Sequence, residues 1–127
     1  MILDTSFIID LLRNNKEAVE KAKELDKMFE PALTTTVSVF ELWQGLKESG
    51  SEKGNIRNLL TSLGILSFDL ESALLAGDIQ RELVKKGDMI EPEDSMIAGI
   101  VLKNNETILA RNVKHFRKIP ELKIETY

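Results

Sequence analysis

The feature that most constrains this chain is a change of hydrophobic period that repeats along it. The short apolar runs "MILD", "ALTT", "ILSF", "ETILA" and "LKIET" are separated by longer stretches with helical spacing. Apolar runs this short, alternating with helices, predict an α/β fold with a mainly parallel sheet. The first two helical stretches are "SFIIDLLR" and "KEAVEKAKELDKMF", split at the Asn pair and stopped by Pro31. "VSVFELWQGLKES" follows, with Thr36 as its cap and Gly50 as its stop. "EKGNIRNLLTSL" is closed by Gly64, "DLESALLAGDIQRELVKK" by Gly87, and "PEDSMIAGIVLKN" carries Pro92 in its first turn. "NVKHFRKI" reads as a helical turn before the last strand. In open parallel sheets ligands collect beyond the C-terminal ends of the strands. The residues just after each strand are therefore the first place to look for chemistry.

The 127 residues fit one domain, 1–127, large enough to bury a core without staples. No cysteine is present, which excludes disulfides, thiolate metal sites and a cysteine nucleophile. That fits a reducing compartment, and a cytoplasmic location is expected. No basic leader precedes the first apolar run, and runs such as "FIIDLL" and "IAGIVL" are too short to span a membrane. A net charge of −4 argues against a nonspecific nucleic-acid coat, but not against an enzyme whose acids hold metal. Plentiful Lys and Glu without Cys lean towards a heat-adapted source.

Three acids sit where chemistry is expected, and each has a plainer reading. Asp4 lies between the first strand and a helix, so it is a helix N-cap or a site acid. Thr5 and Ser6 beside it are cap residues, or donors that orient a ligating carboxylate. Glu41 is a charge inside the apolar "VSVFELWQGL", sharing a helical face with Val37, Gly45 and Glu48; it belongs to a solvated stripe or to a site. Glu91, Glu93 and Asp94 cluster at a helix N-terminus, where carboxylates suit the dipole. Asp94 falls three and seven residues before Ile97 and Val101, on the apolar side, although Glu93 also stands four before Ile97. Asn112 follows the strand "ETILA" as another cap, or as a neutral group beside a metal or phosphate.

"RNVKHFRK" holds Arg111, Lys114, His115, Arg117 and Lys118 and no acid. Such a run is a solvated face or, at a strand end, a basic wall that holds phosphates beside acidic metal ligands. His115, the sole histidine, reads as a packing or surface residue. Trp43 and the phenylalanines read as core or interface, and Asp10, Asp69, Asp78 and Asp88 as helix-face or cap charges. No Gly-rich phosphate loop, HExxH, CxxC or GxSxG pattern occurs.

No single acid is specific, but their order is. "ILDTSFIIDLL", then "TTTVSVFELWQG", then "EPEDSMIAGIVLKNNETILARNVKHFRKIPELKIE" resembles the PIN domain of VapC-type toxins over nearly the whole chain. The resemblance implies a three-layer α/β/α domain with a central, mainly parallel sheet. It implies a metal-dependent endoribonuclease with Asp4, Glu41 and Asp94 as the acidic ligands of Mg²⁺ or Mn²⁺. Thr5 and Ser6 would support them, and Arg111, Lys114, Arg117 and Lys118 would contact the RNA backbone. Many members carry a fourth acid near Asn112; the amide here favours one metal over two. Ala110 stands where a Thr is usual. The resemblance further implies a homodimer and a VapB-type antitoxin whose tail covers a hydrophobic groove. Phe40 and Trp43 are candidates for one of those interfaces, with core burial as the alternative.

Two other readings are carried forward. A PIN-like module could hold RNA or a partner without cutting, which Asn112 motivates. A phospho-receiver-like signalling domain would need a phosphoacceptor Asp after a middle strand and a late partner Lys, and no strand offers that pair clearly.

Overall fold

A computed structural model describes residues 1–47 and 51–127. Strand β1 (Ile2–Leu3) runs into helix α1 (Thr5–Leu12), followed by α2 (Lys16–Lys27), β2 (Leu33–Thr35) and α3 (Thr36–Gln44). Next come α4 (Glu52–Thr61), β3 (Gly64–Leu66), α5 (Leu70–Lys85) and α6 (Pro92–Lys103). Strand β4 (Thr107–Leu109), a 3₁₀ turn at Phe116–Lys118 and β5 (Lys123–Glu125) complete the described elements.

The strands form one sheet in the order β3-β2-β1-β4-β5, and every pairing is parallel. The expected α/β architecture is therefore present, with no antiparallel strand in this sheet. Parallel strands need crossovers, and the helices supply them on both faces. Alternation along each strand splits the core in two. Ile2 and Ile108, opposite each other, point to the face covered by α5 and α6, with Ile97, Val101 and Phe116. Leu3 and Leu109, the next pair, point to the other face, with Phe7 and Ile8 of α1, Leu25 of α2 and Ile56 of α4. Gly99 lets α6 press closely onto α5: a Cβ there would lie 2.4 Å from the Ser72 carbonyl oxygen.

Several boundaries differ from the sequence reading, each for a local reason. The Asn pair does split α1 from α2: Asn14 adopts φ 56°, and Asn15 caps α2 by accepting from the Ala18 amide at 3.0 Å. Helix α2 ends at Lys27, before Pro31, because Phe29 turns left-handed at φ 54°. Thr35, not Thr36, caps α3, accepting from the Ser38 amide at 3.0 Å. Helix α3 stops at Gln44, short of the expected "LKES"; the expected stop Gly50, like Glu48, lies outside the described residues. Gly64 does not close α4. It is a strand residue of β3, where a Cβ would press on Leu33 at 2.6 Å. No helix among the described residues is long and apolar enough to cross a membrane.

The strand order places a topological switch between β1 and β4. From β1 the chain moves outward through β2 to β3; from β4 it moves the opposite way to β5. Crossovers diverge at such a point and leave a crevice outside the carboxyl ends of the two strands. Asp4 ends β1 there, its amide donating to the Leu109 carbonyl of β4 at 2.9 Å.

Candidate metal centre at the sheet switch point

Asp4 takes the N-cap role that the sequence left open, and its carboxylate stands at the switch point. Its Oδ2 caps α1, accepting from the Ser6 amide at 3.2 Å, and also accepts from the Ser6 hydroxyl at 2.7 Å. Ser6 Oγ in turn accepts from the Arg111 amide at 3.2 Å, which ties the β1 seam to the end of β4. The carboxylate is 8% exposed. Burial pushes its pKa above the ordinary Asp value; the Ser6 bonds oppose that shift, and the charge of Asp94 adds to it.

Glu41 arrives from α3, half-buried, and its Oε1 accepts from the Thr5 hydroxyl at 2.8 Å. Burial raises its pKa as well; Thr5 counters, and the charges of Asp4, Asp94 and Glu93 raise it further. Asp94 sits in the first turn of α6. That turn is anchored from behind: buried Ser95 donates to Gln80 Oε1 at 2.6 Å, and Gln80 Nε2 donates to the Ile90 carbonyl at 3.3 Å. Three elements distant in sequence thus bring Asp4, Glu41 and Asp94 within Coulombic reach, with Glu93 at the margin.

Two participants escape the sequence reading. His115 is not a bland surface residue; its Nδ1 lies 2.8 Å from Asp94 Oδ2. The only available sign was its place in the basic run at a strand end. Glu93 shares the acidic field, and adjacency to Asp94 could not say that both face Glu41.

The remaining candidates are dispersed. Asn112 is exposed, and its side chain accepts from the Lys114 amide at 3.4 Å, a turn-capping role. The basic run divides. Arg111 reaches Asp10 at 2.6 Å, and Lys118 reaches Asp88 at 3.2 Å. Lys114 and Arg117 are exposed and make no ion pair among the described residues. Asp10 is no helix-face charge: it is 7% exposed and also accepts from the Tyr127 hydroxyl. Asp69 does cap α5, bonding the Ser72 amide at 2.9 Å. Lys53 and Arg57 of α4 approach the Trp43 ring, 5.3 and 5.6 Å from its centre, and Phe40 is 57% exposed. Phe40 therefore does not fill the core. Beside Glu41, a groove of about 220 Å³ is lined by apolar Ile9, Leu12, Leu42, Leu46 and Ile56 and by polar Arg13, Glu52 and Asn55, with Glu41 on its wall.

The donor set suits a hard cation. It is all carboxylate oxygen, and neither Asp4 nor Glu41 has Lys or Arg as a source of its shift. Among the described residues, no three Asp, Glu, His or Cys side chains already surround one point at ligand spacing.

Known proteins resemble this chain in sequence and fold. The PIN domain family model matches residues 1–122. The tRNA(fMet)-specific endonuclease VapC of Salmonella typhimurium is 26% identical over 129 residues, covering 99% of this chain and 96% of the relative. Ribonuclease VapC3 of Methanocaldococcus jannaschii is 32% identical over 99 residues, covering 78% of this chain and 95% of its own. The crystal structure of DNA-bound VapBC from Salmonella typhimurium superposes with a TM-score of 0.87 at 25% identity, covering 98% of this chain and 96% of that one. The chain belongs to the PIN domain family, as a member of its VapC type.

Proposed function

We propose that this protein is a Mg²⁺- or Mn²⁺-dependent endoribonuclease, acting in the cytoplasm as the toxin of a VapBC-type pair. One observation carries the reading: Asp4, Glu41 and Asp94 lie within Coulombic reach of one another at the switch point of a parallel sheet, and among the described residues neither Asp4 nor Glu41 forms an ion pair with Lys or Arg. The names and pairings of the relatives support the ribonuclease and toxin parts.

Asp4, Asp94 and Glu41 would hold the cation. When bound, the cation supplies Lewis-acid activation of water and of the scissile phosphate. Asp4, fixed by Ser6, and Asp94, bonded to His115 at the start of α6, would be the residues that locate it. Glu41 is held through Oε1 by Thr5, so its Oε2 would either complete the cation's shell or accept a proton from the attacking water. Water attack leaves a 5′-phosphate and a 3′-hydroxyl and needs no 2′-hydroxyl. Selection of RNA therefore rests on binding. Lys114 and Arg117 are the basic-run residues free to take backbone phosphates, while Arg111 and Lys118 already hold carboxylates. The groove walled by Glu41, with an apolar floor and a polar rim of Arg13, Glu52 and Asn55, suits a VapB-type tail that covers Ile9, Leu12 and Ile56 and presents a cation to the acids. The active form is a homodimer, for which the exposed Phe40 is available.

The test is incubation of purified protein with total RNA, with Mg²⁺, with Mn²⁺ or with chelator, beside Asp4→Asn and Asp94→Asn. Discrete metal-dependent cuts, lost in both variants, are expected. RNA binding without cleavage in every lane would replace the enzyme by a PIN-like binding module. Cleavage surviving in both variants would overturn the site.

A further inference from the structure

The three acids share a pattern that extends the site beyond them. Each has one carboxylate oxygen held by a single neighbouring side chain. Ser6 holds Asp4 Oδ2 at 2.7 Å, Thr5 holds Glu41 Oε1 at 2.8 Å, and His115 holds Asp94 Oδ2 at 2.8 Å. The other oxygen of each makes no side-chain hydrogen bond among the described residues. The first two donors come from the β1–α1 seam, next to Asp4. The third comes from the far side of the switch, after β4. We infer that His115 is a positioning residue: it fixes the rotation of the Asp94 carboxylate so that Oδ1 is the oxygen presented to a divalent cation.

The chemistry of the contact supports this assignment. An ionised carboxylate has no hydrogen to give, so the hydrogen between the two groups is on Nδ1 and His115 donates. Carboxylate ligands bound on one oxygen by an outer donor lose rotational freedom before metal arrives, and such donors typically contribute 10- to 100-fold in affinity. A side chain on a loose loop could not do this, but this loop is anchored. Phe116 and Ile119, on either side of the turn, are 2% and 4% exposed in the α5–α6 core. The Arg117 amide donates to the Val113 carbonyl at 2.9 Å, and Lys118 pairs with Asp88, which precedes α6. Two links, His115–Asp94 and Lys118–Asp88, therefore join the basic segment to the N-terminal side of α6. This explains the placement of the one histidine immediately before a buried phenylalanine.

The inference rests on the proposed metal site, so the experiment must separate the two. Mn²⁺ binding to the full chain is measured by electron paramagnetic resonance, with calorimetric Mg²⁺ titration as a second readout. The proteins are the wild type, His115→Ala, His115→Asn and His115→Gln, each checked for its melting temperature. The Asn amide nitrogen falls near the position of Nδ1 and can donate to Oδ2; the Gln amide nitrogen falls near that of Nε2 and cannot. Binding by His115→Ala and His115→Gln is expected to weaken by about 10-fold or more, with His115→Asn within about 3-fold of wild type. Wild-type binding retained in Ala, or equal binding in Asn and Gln, would overturn the positioning role and leave the metal site standing. Absence of binding in the wild type would overturn both. If Ala does not fold, the Asn–Gln comparison decides alone, since both keep a polar side chain at this partly exposed position.

Discussion

Two buried acids, Asp4 at the N-cap of helix α1 and Asp10 within it, are treated by the protein in opposite ways. Asp10 is compensated: the Arg111 guanidinium lies 2.6 Å away, and the Tyr127 hydroxyl donates to the same oxygen. Asp4, six residues earlier and equally hidden, has donors from Ser6 and the Thr5 backbone but no cationic partner among the described residues, and it faces two further acids. Arg111 touches both systems, through its amide at Ser6 and its side chain at Asp10. A fold that can place a guanidinium so near yet leaves Asp4 without one keeps unbalanced negative charge. Unbalanced buried charge costs stability, and proteins tolerate such cost where function needs it.

The largest effect expected from this contrast is on the response to metal. Saturating Mg²⁺ or Mn²⁺, at about 100 times Kd, should stabilise the wild type by about 2.7 kcal/mol in calorimetric melts. Asp4→Asn should abolish that gain. Without metal the same variant should be more stable than wild type at pH 7, by about 1 kcal/mol. The sign follows from the raised carboxylates of Asp4 and Glu41. A raised acid holds its proton more tightly when folded, so its contribution is full below the unfolded value and is lost as pH rises through the folded one. The advantage of Asp4→Asn should therefore vanish on acidification below the ordinary Asp value. A metal-free Asp4→Asn less stable than wild type at pH 7 would show that Asp4 serves mainly as a cap.

Breaking the compensated acid should do the reverse. Asp10→Ala leaves Arg111 and Tyr127 without their partner. Because Arg111 is half exposed, the cost falls below that of a fully buried pair, at about 2 kcal/mol by denaturant melts. Divalent-metal binding should survive. Loss of binding at wild-type stability would mean that the two acids form one network.

Tyr127 gives a spectroscopic view of the same cluster. It is the sole tyrosine, and burial, followed by its bond to Asp10, pushes its phenol above the ordinary value. Its tyrosinate absorbance should stay absent at pH 10 and appear only further up the alkaline limb. Its stabilising contribution is complete below the ordinary value and is lost as pH rises through the folded one. Asp10→Asn should move the absorbance step to lower pH; an unmoved step would remove the hydrogen bond from the account.

The smallest effect concerns the basic segment. Lys114→Ala and Arg117→Ala should each weaken RNA binding severalfold and lower the salt slope by about 1, with stability unchanged. Lys118→Ala should cost less than about 1 kcal/mol of stability and change the salt slope little, because its charge is already spent on Asp88. Equal effects of all three on the salt slope would restore the whole run as one phosphate-binding wall.

Much of this was written in local sequence. The alternation of short apolar runs with helices determined a parallel α/β sheet, and each strand appeared near its expected place, because strand and helix periods are properties of neighbouring residues. The ordered motifs around Asp4, Glu41 and Asp94 marked three acids that the fold brings within Coulombic reach. Helix ends were less legible: Phe29 and Asn14 in left-handed backbone, and Gly64 inside a strand, depend on what the chain meets next. Charge pairing was not legible at all. Arg111 and Asp10, Lys118 and Asp88, and His115 and Asp94 are separated by 101, 30 and 21 residues. Nothing in the local pattern distinguishes the paired Arg111 from the unpaired Lys114, or the compensated Asp10 from the uncompensated Asp4. That distinction is electrostatic and acts across space, so only the tertiary structure could decide which acids are paired with a cationic side chain and which are not.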